Sequence, residues 1–140
     1  MILHSFLSNA TRLPHWVAAA LLMVVCGNAL AVTRALEDIS YSALSGDRVE
    51  LRLQMSDSAP EPGSFTIDNP ARIAIDLPGT GVALSERFME LDAAPVRSIR
   101  AVEANGRTRV VLALSHLVPY ELKRDGDSIV VSVGDKTAGA

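Results

Sequence analysis

Four arginines stand around one tight turn: Arg97 and Arg100 before the pair Asn105-Gly106, Arg107 and Arg109 after it. Guanidinium groups bind carboxylates bidentately, so a cluster of this kind can hold an anionic polymer. The competing reading is a solvated set of cations paired across strands with Glu103, Glu90 or Asp92. On the first reading the four arginines, with Asn105 at the turn, are the candidate binding residues.

Catalytic chemistry has fewer supports. A zinc hydrolase uses about three protein ligands, commonly with at least two histidines. Only His116 lies beyond residue 31, in "SHLVPY" after a strand pattern, and it reads as a solvated loop residue. A Ser-His-acid triad would need the same histidine, and no serine sits in a G-x-S-x-G turn. The "GTG" at Gly79 to Gly81 lacks the spacing and the lysine of a phosphate loop. Asp76, Glu90 and Asp92 read as solvent-facing strand positions rather than as a glycosidase pair. No enzyme, metal or cofactor is expected.

The elements that must position these residues are strands. In "RVELRLQM", Val49, Leu51, Leu53 and Met55 alternate with Arg48, Glu50, Arg52 and Gln54, one face for core and one for water. "RTRVVLALS" turns Thr108, Val110, Leu112 and Leu114 inward, with Val111 and Ala113 making its second face partly apolar. In "NPARIAIDLPG", Ile73, Ile75 and Leu77 share a face between Asn-Pro and Pro-Gly breakers, which fix the register. Ile129, Val131 and Val133 share another. Weaker strands are expected at Leu36 to Leu44, Ser64 to Asp68, Phe88 to Asp92, Val96 to Ala104 and Tyr120 to Arg124.

The connections carry turn chemistry: "SGD" at 45 to 47, "DGD" at 125 to 127, and Asn105-Gly106, whose residues tolerate the positive φ of a tight hairpin. "SDSAPEPG" reads as a longer loop, and "PGTGVALSER" as a turn or one short helical turn. Val96 and Ile99 cannot both face inward on a regular strand, so a bulge is expected near Ser98. About eight short strands with no amphipathic helix predict an all-β antiparallel sandwich or a partly open barrel.

Residues 1–31 read differently from the rest. They hold no acidic residue, one arginine, an apolar run from Trp16 to Cys26, and small residues at Ala29 and Ala31. This is the layout of a signal peptide cleaved after Ala31. The run is far short of the roughly 20 apolar residues of a membrane span. Val25, which precedes Cys26, does not suit lipoprotein processing.

Of the 140 residues, 109 remain after such cleavage; with Arg12 gone, 12 basic side chains face 16 acidic ones, a net charge of −4. That balance argues against nucleic acid or an anionic membrane surface as partner. With no cysteine left, the domain must fold on its apolar core alone.

Three stretches in order, "FTIDNPARIAIDLPG", "VRSIRAVEANGRTRVVLALS" and "YELKRDGDSIVVSV", resemble the successive strands of the AMIN domain, a module found at the N-terminus of periplasmic N-acetylmuramoyl-L-alanine amidases and of type IV pilus secretins. The resemblance covers Leu36 to Gly134, so the expected domain is residues 36–134 after a signal peptide at 1–31. "GDKTAGA" leads into residues 135–140, read as the start of a linker or tail of a longer chain. The resemblance implies a β-sandwich that binds peptidoglycan in the periplasm and localises the machine attached to it. It implies no catalytic residue. The amidases of this group often use a twin-arginine signal, whereas Arg12 stands alone, which favours the secretin parent. Docking to another pilus component remains the alternative, as does targeting of a truncated amidase.

Overall fold

The computed structural model describes residues 34–134; the expected signal peptide at 1–31 and the tail at 135–140 lie outside the described residues. Ten strands run in order: β1 (Arg34–Leu44), β2 (Arg48–Met55), β3 (Gly63–Ile67), β4 (Arg72–Pro78), β5 (Thr80–Val82), β6 (Phe88–Ala93), β7 (Val96–Ala104), β8 (Arg107–Leu114), β9 (Tyr120–Asp125) and β10 (Ser128–Val133). They form two five-stranded sheets, ordered β5-β1-β2-β10-β9 and β3-β4-β8-β7-β6. The expected all-β sandwich is what the chain forms.

Alternation builds each sheet. Val49, Leu51, Leu53 and Met55 of β2 are at most 1% exposed and meet Ile129 and Val131 of β10 in the same sheet. Opposite them lie Ile73, Ile75 and Leu77 of β4 with Val110 and Leu112 of β8, all at 0%. Each such aliphatic side chain contributes about 1.5–3 kcal/mol of burial, so the interior of the sandwich dominates the stability. The strand bounded by Pro70 and Pro78 sits second from its sheet's edge, between β3 and β8.

The expected bulge is present: the β7–β8 register shifts between Val96 and Ser98, and Val96 and Ile99 both end 1% exposed. Asn105 and Gly106 adopt φ of 55° and 74°. Positive φ at both central residues gives a two-residue hairpin whose twist matches its strands.

One segment differs from the sequence reading. "PGTGVALSER" contains no helical turn; its Thr80–Val82 forms β5, which pairs in parallel with Arg34–Leu36 of β1. The other pairings are antiparallel, and the strand number rises from about eight to ten among the described residues. Thr80 and Gly81 are buried there. The Thr108 hydroxyl, fully buried, donates to the Thr80 carbonyl at 2.7 Å and so ties β8 of one sheet to β5 of the other. On the far side, the Tyr120 hydroxyl donates to Ser64 Oγ at 2.9 Å, joining β9 to β3. The loop 56–62 is held down by the Ala59 amide, which donates to the Gly126 carbonyl at 3.0 Å.

Candidate functional site on the outer face of the second sheet

The outward positions of β3-β4-β8-β7-β6 form rows across the strands. Near the Asn105-Gly106 turn, Arg107 lies opposite Ala104. The next row sets Asp76 beside Arg109 and Arg109 beside Val102. The third runs Phe65, Ala74, Val111, Arg100, Phe88 across all five strands. A fourth runs Ile67, Arg72, Ala113, Ser98, Glu90.

The register therefore spreads the four arginines along the face instead of gathering them at the turn. Arg107 and Arg109 are at the turn end, Arg100 is in mid-sheet, and Arg97 is the extra residue of the bulge at the opposite end. Ala104, the partner of Arg107, lies seven residue steps along β7 from Arg97, which is roughly 23 Å along the strand.

Arg109 is already engaged. Its Nε and Nη2 donate to the two carboxylate oxygens of Asp76 at 2.6 and 2.9 Å. Arg107 stands further off, 3.9 Å from the same carboxylate. The expectation of a solvated Asp76 is corrected here: its side chain is 21% exposed and gripped by a planar fork. The hydrogen bond from Arg109 holds its carboxyl below the usual carboxylate range, against the opposing effect of burial, with further help from the charges of Arg109 and Arg107. The Arg109 guanidinium is correspondingly pushed up, chiefly by the same bond.

Two aromatic rings flank this face. Arg109 lies over Phe65 at 5.0 Å from the ring centroid, and Arg100 over Phe88 at 5.1 Å. Phe65, Phe88 and Val102 are 42%, 46% and 47% exposed, three of the six large hydrophobics left in water among the described residues. Stacking a weakly hydrated guanidinium on an aromatic face sets cations and exposed rings side by side on this surface. The sequence reading found the arginines and missed the phenylalanines. Their signal was present: Phe65 and Phe88 occupy the outward parity of their strands.

Two depressions mark the ends of the face. One of about 210 Å³ is lined by Val102, Ala104, Asn105, Arg107 and Arg109. A groove of about 650 Å³ at the other end is lined by residues including Arg72, Phe88, Glu90, Asp92, Arg97 and Ser98. The partners expected for the arginines are differently used. Glu103 accepts from the Val82 amide at 3.1 Å, and Glu90 and Asp92 make no ion pair among the described residues. His116 is exposed, its Nδ1 3.0 Å from Ser115 Oγ. Among the described residues, no group of three or more His, Cys, Asp or Glu could hold a metal ion.

The outer face of the first sheet is of another kind. Its rows, such as Ser42, Glu50, Ser132, Glu121 and Ser40, Arg52, Val130, Lys123, are small polar and charged residues with one valine and no aromatic ring.

The AMIN domain family model matches residues 38–133. Fimbrial assembly protein PilQ of Pseudomonas aeruginosa is 43% identical over 105 residues, 75% of this chain and 15% of that protein. The type IV pilus biogenesis and competence proteins PilQ of Neisseria gonorrhoeae and Neisseria meningitidis serogroup A are 24% identical over 98 residues, 70% of this chain and 14% and 13% of theirs. The chain thus spans at most 15% of the length of these curated relatives. With a matching model over most of its described length, an all-β sandwich and strands in the expected order, the chain belongs to the AMIN domain family.

Proposed function

We propose that this chain is a non-catalytic periplasmic module that binds peptidoglycan and forms the N-terminal part of a type IV pilus secretin, holding that machine against the cell wall. The supporting observation is the one-sided distribution of side chains. Arg100, Arg107, Arg109, Phe65, Phe88 and Val102 share the outer face of a single sheet. Carboxylates of the wall polymer meet guanidiniums there, and the apolar faces of its sugars meet rings. The names of the relatives, concerned with fimbrial assembly and pilus biogenesis, supply the machine. The composition gives no basic surplus for nucleic acid, and no helix among the described residues is long and apolar enough to cross a membrane.

Arg97, Arg100, Arg107, Arg109 and Asn105 remain the proposed contact residues, with Arg109 acting through its pair with Asp76. Residues 32–140 hold the whole described core, from Leu36 to Val133. This segment is expected to pellet with purified peptidoglycan sacculi and to be released as salt rises, because exposed charges are screened. Replacing the four arginines by alanine should leave it folded and in the supernatant. Pelleting that survives both treatments removes the arginine face from the proposal.

A second reading has its own observation. β5 covers β1 only as far as Leu36, so Ser40–Leu44 forms an exposed sheet edge, with Tyr41 44% and Leu44 42% exposed. Such an edge accepts a strand from a partner. Docking to a pilus protein through β1 predicts unchanged sacculus binding and loss of a protein partner when Ala43, whose amide faces the open edge, is replaced by proline. The same surface placed in a cell-wall amidase would target that enzyme.

A further inference from the structure

Away from the Asn105-Gly106 turn, the fourth row of the face places Arg72 on β4, Ala113 on β8, Ser98 on β7 and Glu90 on β6 in one line. At about 4.8 Å per strand, the backbones of Arg72 and Glu90 are about 14 Å apart. Only a methyl and a hydroxymethyl group stand between them. The groove of about 650 Å³ is the space those small side chains leave.

Arg72 stands at one end and the carboxylates of Glu90 and Asp92 at the other, with Arg97 a second cation on the lining. The Arg72 Nε is buried and donates to nothing. Arg72 as a whole is half-buried and in no ion pair among the described residues, so its guanidinium is available to an anion. Across the floor, Glu90 and Asp92 are free of ion pairs among the described residues, and Phe88 forms a side wall. The charges are held apart by the register, and the gap suits a ligand that is itself anionic at one end and cationic at the other.

We infer that this groove binds a short peptide bearing both a free carboxylate and a free ammonium group, the carboxylate on Arg72 and the ammonium between Glu90 and Asp92. The aliphatic part lies over Ala113 beside Phe88. The inference rests on the wall-binding reading and narrows it. An uncross-linked peptide stem presents both groups, whereas the glycan strand presents no ammonium. The module therefore reads the peptide, through a stem whose side-chain amine is not consumed in a cross-link.

The test uses residues 32–140, isotope-labelled, titrated with the tripeptide N-acetyl-L-alanyl-γ-D-glutamyl-meso-diaminopimelate, its N-terminal nitrogen an amide as in the wall, while amide resonances are followed. Shifts at Ser98 and Ala113 are expected, with affinity falling about tenfold or more when the side-chain amine is acetylated, when the carboxylates are amidated, and in Arg72→Ala and Glu90→Gln. Both positions point outward, and circular dichroism verifies that each variant is folded. Chitotetraose should leave the two amides unmoved. Equal binding by wild type and both variants, or chitotetraose shifting the same amides, overturns the inference. Sacculus pelleting on the same samples separates the two levels. Pelleting without tripeptide binding overturns the peptide inference and leaves the wall reading standing; tripeptide binding without pelleting supports the groove and removes the wall.

Discussion

Replacing Thr108 with valine removes one hydroxyl and almost nothing else. Thr108 is 0% exposed, and its Oγ1 donates at 2.7 Å to the Thr80 carbonyl, a contact between strands of different sheets. Valine has the same shape, so packing is retained, but the carbonyl loses its partner in a place that water does not reach. An abandoned buried acceptor costs about 1–3 kcal/mol. For a domain of this size each kcal/mol lowers the melting temperature by roughly 4–8 °C, so the Val variant should melt at least about 4 °C below wild type. Thr108→Ser supplies the control: it keeps the donor and loses a methyl group. Two measurements decide. Urea denaturation gives the stability, and native-state hydrogen exchange reports whether the Ala83 amide, which donates to Leu36 beside β5, opens faster in the Val variant. A Val variant as stable as wild type, with unchanged exchange at Ala83, would refute the view that this bond joins the sheets.

Asp76→Asn should flatten part of the acid limb of stability. The folded carboxyl of Asp76 is held below its ordinary value, so its contribution is fully present above the unfolded pKa, about 3.9. It is lost as pH falls through the lowered folded value; wild type and variant should converge in strong acid, and a gap that is constant from neutral pH down to acid contradicts the assignment. Leu112→Ala, at the fully buried centre of β8, should cost about 2–5 kcal/mol in chemical denaturation. Gly134→Ala should destabilise far more than Gly126→Ala, as compared by thermal melting. Both glycines have positive φ, but a Cβ at 126 meets open space while one at 134 would lie 2.8 Å from the Asp47 carbonyl oxygen.

Local signals in the chain carried much of the fold. β2 could be read because four buried side chains alternate with four polar ones, and the β7 bulge because Val96 and Ile99 have incompatible parity. Asn105-Gly106 announced its turn through φ alone. β5 could not be read: three residues show no alternation, and the partner that makes them a strand, Arg34–Leu36, lies more than forty positions earlier. The site suffers from the same non-locality. Asp76 looked solvated in its own strand because its partner, Arg109, is assigned by the β4–β8 register. The line from Arg72 to Glu90 exists only when four strands are aligned at once. Arginine content was visible in the sequence; which cations are already occupied was not.

The strand order has a mechanical consequence. β1 and β10 both flank β2 and run in the same direction, and Val133 lies level with Val49 and hence with Ala43, near the far end of β1 from Arg34. The chain enters one end of this sheet and leaves at the other, roughly 30 Å away along the strands. Tension between the two ends pulls β1 and β10 in opposite directions along their own axes, past the β2 strand between them. Such a load falls on many rungs of both ladders at once, where a pull at a hairpin's open end would break them one after another. A module built this way transmits force through its sheet before it yields.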